Sequence, residues 1–238
     1  MIKTKSRKTK YIITILIILV MGILLSIGGF LIYASDYYPA DEIAIQIMQQ
    51  QDRVEIYENL TIVSPPEKSD VGFIFYPGAK VENIAYLPLL EKLTENGITC
   101  VLVKMPLNMA IFDADAAEEV FDKLPEIKNW YIGGHSMGGA MASDYASKNR
   151  DKVKGLVLLG AYIYGDYPPD QTLTIYGTYN SDLEKYIDYT ENIVEIEGGN
   201  HAQFGNYGQQ KGDPVATITS EEQQDIAVEA IIEFMNAR

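Results

Sequence analysis

The segment Gly133-Gly134-His135-Ser136-Met137-Gly138-Gly139 constrains this chain more than any other stretch of it. An apolar run, Trp130–Ile132, leads in, and a small-residue helical pattern, Met137–Asn149, leads out. A G-x-S-x-G pentapeptide at a strand-to-helix junction needs a very tight turn, and the flanking glycines avoid the clashes a Cβ would make there. That turn lifts the Ser136 hydroxyl above a sheet edge and leaves the Met137 N–H at the positive end of the next helix, aimed where an oxyanion could develop. A Gly-rich stretch at such a junction can also cradle phosphate, but no Lys follows these glycines.

The flanking sequence supports the same architecture. Val54–Tyr57 and Leu60–Val63, flanking Glu58-Asn59, read as a hairpin. Val71–Tyr76 is apolar throughout, as a strand buried on both faces requires. Asn83 is placed to cap a helix carrying Ala85, Tyr86, Leu89, Leu90 and Leu93, stopped by Gly97. Ile98–Val103 is the next strand, and Ala114–Leu124 a helix with an acidic, solvated face. Val153–Leu159, Leu173–Tyr176 and Ile193–Ile196 complete the strands. Ser220 with Gln223 resembles a capping box ahead of Ile226, Ala227, Ala230, Ile231 and Phe234. Short apolar strands alternating with helices predict an α/β fold: a mostly parallel sheet with helices on both faces. Only about a dozen residues separate the Val153–Leu159 and Leu173–Tyr176 strands, too few for a lid domain, so an open, shallow pocket is expected, lined by Tyr162, Tyr164 and Tyr167.

Charge divides the chain. Five of its 19 Lys and Arg lie in the first ten residues, while all 33 Asp and Glu come at or after Asp36, which leaves 14 basic against 33 acidic groups beyond the first ten residues. So acidic a surface repels phosphate backbones and argues against nucleic-acid binding. Tyr11 to Tyr33 carries no charge, long enough to cross a hydrocarbon core that takes about 20 helical residues. A cleaved signal peptide is the competing reading, but its apolar region is shorter, roughly 7–15 residues, and Ile32-Tyr33-Ala34 lacks a small residue at its first position. No Cys follows the run to carry a lipid anchor. The expected organisation is a basic cytoplasmic tail over residues 1–10, a transmembrane signal-anchor over 11–33, a linker with a juxtamembrane helix over 34–51, and one globular domain over 52–238. The globular domain then lies outside the cytoplasm. The single Cys100, in an apolar run, suits that side and reads as a small buried hydrophobe.

A serine hydroxyl is nucleophilic at neutral pH only with a base, usually histidine. Of two histidines, His135 adjoins Ser136 and should point away from it. His201 follows the last strand in Gly198-Gly199-Asn200-His201-Ala202-Gln203-Phe204-Gly205, on a loop able to reach back over the sheet edge. A second oxyanion donor is expected in Tyr76-Pro77-Gly78-Ala79-Lys80, where the Ala79 N–H is the candidate. Two histidines and one cysteine without ligand spacing support no metal site, and this chemistry needs no cofactor.

Together FIFYPGAKVE, LVKMPLNMA, WYIGGHSMGGAMASDYA, LTIYG and GGNHAQFGNYGQQKGD resemble the bacterial α/β-hydrolase fold-5 family over roughly Asp52 to Arg238. The resemblance implies an α/β-hydrolase fold with Ser136 as nucleophile, His201 as base, and the Ala79 and Met137 amides as oxyanion hole. It does not imply a substrate. The family's usual Gly-x-x-Asp places the third member at Asn180 here, counting from Gly177. Asp182, the nearest carboxylate, is the expected acid through a shift in loop register; Asn180, Asp213 and Glu184 are the alternatives.

The expected activity is that of a membrane-anchored serine hydrolase, a carboxylesterase acting through an acyl-enzyme on a small or surface-displayed acyl ester. Amide or peptide cleavage by the same machinery is a rival. A catalytically weak envelope protein that only binds is another, and a transporter accessory a third.

Overall fold

The computed structural model describes residues 7–49, 52–180 and 182–238. They fold as two units, one up to Asp36 and one from Tyr37 to Arg238. The first is helix α1, Arg7–Ser35. Its Thr9–Ser35 portion is long and apolar enough to cross a membrane, a property signal sequences share.

The second unit is built on eight strands: β1 Val54–Ile56, β2 Leu60–Val63, β3 Val71–Tyr76, β4 Thr99–Val103, β5 Asn129–His135, β6 Gly155–Leu159, β7 Thr172–Gly177 and β8 Ile193–Ile196. They form one sheet in the order β1-β2-β4-β3-β5-β6-β7-β8. β2 runs antiparallel to both its neighbours, β1 and β4, while β3 to β8 are mutually parallel. Side chains of a strand alternate between faces, and both faces are covered here. Phe73 and Phe75 of β3 pack with α3 (Leu87–Glu95) and α6 (Ser220–Asn236), while Ile74 and Tyr76 join a second core with α4 (Ala117–Lys123) and α5 (Met137–Lys148). Burial on both sides is why these strands read as unbroken apolar runs.

Several boundaries differ from the sequence reading. Asn83 opens a 3₁₀ turn, Asn83–Tyr86, and caps nothing with its side chain; α3 begins only at Leu87, with proline in its first turn. α4 starts at Ala117 rather than Ala114, because the Ala114 carbonyl and Ala117 N–H are both taken by the Tyr76 hydroxyl, at 2.9 and 2.8 Å. The capping box before α6 is Thr219 with Glu222, one residue earlier than expected, which frees Gln223 for the interior. Of the segment expected as linker, residues 37–49 belong to the globular unit. Its helix α2, Glu42–Met48, is capped by Asp41, and Ala44 and Ile47 are buried. Gln50 and Gln51, expected at its end, lie outside the described residues. Cys100 is fully buried on β4, and burial pushes its thiol up to about 12.

Candidate active site

β3 and β5 are neighbours in register, with Tyr76 paired to Gly134, so the loops that follow them leave the sheet side by side. The chain switches direction here: β4 lies on one side of β3 and β5 on the other. In open α/β sheets ligands bind outside the carboxyl ends of the strands at such a point.

Ser136 occupies the turn between β5 and α5 with φ 52° and ψ −121°. That conformation costs a non-glycine residue on the order of 1–3 kcal/mol and persists only where the surroundings impose it. They do so from both sides. The Ser136 N–H donates to the Leu159 carbonyl at 2.9 Å, and the Ser136 carbonyl accepts the first turn of α5 through the Ala140 N–H at 3.0 Å. The helix can start so close to β3 only because position 138 is glycine: a Cβ there would lie 2.2 Å from the Tyr76 carbonyl oxygen. Among the described residues, the Ser136 hydroxyl has no protein hydrogen-bond partner, and neither do the Met137 and Ala79 amides. The Ala79 loop is held from outside, by Lys80 N–H to the Asn108 carbonyl at 2.8 Å and by Tyr38 N–H to the Lys80 carbonyl at 2.7 Å.

His201 arrives on the loop after β8. Three side chains fix that loop. The Asp213 carboxylate accepts the His201 and Ala202 N–H groups at 3.2 and 2.8 Å. Gln223, fully buried, accepts the Asn200 N–H and donates to the Asn200 carbonyl, both at 2.9 Å. Asn200 in turn donates to the Pro214 carbonyl at 2.8 Å. Gln223 sat in the sequence as a helix-start residue, and nothing in its neighbours signals a partner 23 positions away. The His201 ring lies against Gly160: a Cβ on that residue, which has φ +54°, would be 2.8 Å from Nδ1. Gly160 follows Leu159, the residue that holds the Ser136 amide, so the imidazole stands beside the elbow. Its ring centroid is 4.5 Å from that of His135. Burial holds the His201 pKa below the usual histidine range, and the Asp213 charge opposes that shift.

The group at His201 Nδ1 is Asn180, with its side-chain amide 3.0 Å away. Asp182, the expected acid, is elsewhere: its exposed carboxylate pairs with Lys185. The register shift that would have brought it to His201 does not occur, because Asn180 closes a turn on Gly177, with its N–H on the Gly177 carbonyl at 2.8 Å. Glu184 accepts the Tyr176 hydroxyl at 3.3 Å. Asp213 meets the His201 backbone, not its ring. An amide has a donor end and an acceptor end. With Nδ2 toward Nδ1 the imidazole proton sits on Nε2; turned by 180°, Oδ1 accepts from Nδ1–H and leaves Nε2 bare, as a base requires.

The connection from β6 to β7, residues 160–171, carries only a short 3₁₀ turn. Of the three tyrosines expected to line a pocket, Tyr167 is in the core, Tyr164 is exposed, and Tyr162 stacks on Tyr186 with centroids 5.1 Å apart. His201 and Asn180 line a cleft of about 400 Å³ with Tyr179, Lys211 and Pro214. A larger cavity, about 620 Å³ by Asp70, Thr99 and Ile127, lies at the opposite, amino-terminal end of the strands.

The model of an alpha/beta hydrolase family matches residues 72–225. No curated protein matches the sequence. Among solved structures, a ferulic acid esterase from Streptomyces cinnamoneus is similar with a TM-score of 0.55 at 16% identity, over 73% of this chain and 68% of that one. A monoacylglycerol lipase from Paleococcus ferrophilus gives 0.53 at 13% identity, over 76% and 99%. Est1E from Butyrivibrio proteoclasticus, bound to ferulic acid, gives 0.51 at 15%, over 75% and 95%. At these identities the likeness is one of fold.

Proposed function

Because the chain belongs to the alpha/beta hydrolase family, we propose that it is a serine hydrolase of carboxylic esters, held at a membrane by its N-terminal helix with the hydrolase domain outside the cytoplasm. The observation that carries this reading is the strained Ser136 turn with the His201 imidazole beside it. Ser136 attacks the acyl carbonyl while His201 Nε2 takes its proton. Charge on the carbonyl oxygen is met by the Met137 and Ala79 amides, neither of which has another partner to give up, among the described residues. The imidazolium then protonates the leaving alkoxide. Water, deprotonated by the same nitrogen, releases the acid and regenerates Ser136. Asn180 orients the ring without a countercharge. A short β6–β7 connection leaves the serine open to acyl groups carried on larger molecules.

The test is covalent labelling. Full-length protein in detergent should react with a fluorescent fluorophosphonate, and Ser136→Ala should abolish the signal. Absence of labelling in the folded wild type would instead favour a binding protein, the reading that an amide in place of the triad carboxylate supports. Anchoring has its own check. The basic decapeptide and the Thr9–Ser35 helix predict that the mature protein keeps its N-terminal segment; a mature N-terminus near Ala34–Ala40 refutes it.

A further inference from the structure

We propose that Tyr86 and His135 form a positioning relay that ties the oxyanion loop to the loop bearing the base, so that the two halves of the site keep their spacing. This rests on the reading of Ser136 and His201 given above. His135 occupies the G-x-S-x-G motif itself, yet its ring is turned inward and is 1% exposed. Its Nε2 lies 2.9 Å from the His201 carbonyl oxygen and its Nδ1 lies 2.8 Å from the Tyr86 hydroxyl. The Tyr86 hydroxyl in turn accepts the Gly78 N–H at 3.1 Å.

The proton positions along this chain are forced. A carbonyl can only accept, so Nε2 carries the proton and donates to His201. The neutral ring then has a bare Nδ1, which accepts from the Tyr86 O–H. That hydroxyl accepts the Gly78 N–H on one lone pair, and the Tyr207 hydroxyl stands within reach of the other. The direction is single from one end to the other: Gly78 N–H to Tyr86, Tyr86 O–H to His135, His135 N–H to His201. One end is the peptide beside Ala79, and the other is the backbone of the base. Protonation of His135 would turn Nδ1 into a donor facing a donor. Burial, reinforced by the neighbouring His201, keeps His135 neutral by holding its pKa well below the usual value. Both ring nitrogens are occupied, so His135 is no base; it acts through His201 and Gly78. Tyr86 is itself fully buried, packed on Phe75 and Tyr207, and so has one place to be.

The test compares Tyr86→Phe, His135→Leu, His135→Gln and the Tyr86→Phe/His135→Leu double variant as full-length proteins. Turnover of p-nitrophenyl acetate is expressed per fluorophosphonate-titrated serine, so that unfolded protein does not count. Tyr86→Phe and His135→Leu are expected to lower kcat at least tenfold with KM within twofold. The double variant should be no slower than the slower single, because a serial chain is broken once. His135→Gln, which offers both an N–H and an acceptor, should recover part of the loss. Single variants within twofold of wild-type kcat, or a double variant whose losses multiply, would overturn the relay. If instead the wild type itself neither labels nor turns over, the hydrolase reading has failed and not the relay alone.

Discussion

Asn180→Asp should raise kcat for p-nitrophenyl acetate roughly 10- to 100-fold. In a trypsin-like triad, Asp to Asn at the equivalent role costs about 10⁴-fold, largely because the amide favours the wrong imidazole tautomer. Here the amide already stands 3.0 Å from His201 Nδ1, so the substitution exchanges one planar group for another of the same size. The carboxylate accepts only, which fixes the proton on Nδ1 and frees Nε2. It also stabilises the imidazolium formed in the transition state. The expected gain is smaller than 10⁴ because Asp213 already places one negative charge near the ring. The sign of the pH response follows from the same charges. Burial holds the His201 pKa low in the wild type, so activity should persist below pH 6.5, the ordinary histidine midpoint of about that value. An added carboxylate favours the charged ring, so the acid limb of kcat/KM should move to higher pH in the variant. A pH–rate profile of both proteins checks the two effects together. No gain in kcat and no movement of the limb would mean that Asn180 does not orient the catalytic ring.

Gly138→Ala should be far more damaging than an exposed helix Gly→Ala, which ordinarily stabilises. The new Cβ would lie 2.2 Å from the Tyr76 carbonyl oxygen and 2.3 Å from that of Pro77. Both are backbone atoms at the end of β3, so no side chain can swing aside. Either α5 retreats from the sheet or the Pro77 turn moves. The expected cost is about 3 kcal/mol, a fall in Tm of roughly 10 °C for a domain of this size. Turnover should drop at least 100-fold even at low temperature, since a shift of about 1 Å in a catalytic group has that effect. The Ser136 hydroxyl, the Met137 amide and the Ala79 loop all border the displaced backbone. Urea melts and initial rates at 10 °C separate the two losses. A variant with wild-type stability and turnover would show that the close approach of α5 to β3 is not needed.

The elbow and the alternation around it are local properties, and local properties can be read from sequence. G-x-S-x-G between an apolar strand and a small-residue helix leaves one sterically acceptable backbone path, and Ser136 is on it. Runs such as Val71–Tyr76 and Gly155–Leu159 are apolar on both faces, which places them inside a parallel sheet. His201 could be singled out by elimination among two histidines, and the family resemblance, through its Gly-x-x-Asp pattern counted from Gly177, implied position 180, the residue now found on its ring.

What joins distant segments was not legible in the same way. Asp182 was favoured as the acid on its charge, but the turn closed on Gly177 decides which side chain faces the ring, and it presents Asn180. Gln223 is an ordinary first-turn residue until Asn200 arrives from another loop to use its amide. Tyr86 carries the periodicity of a core residue, and only packing brings its hydroxyl between Gly78 and His135. Backbone conformation depends on a few neighbours in the chain and on hard-sphere contacts among them. A buried hydrogen bond between side chains depends on three coordinates set by the whole sheet, and one residue's slip in a loop changes its partner.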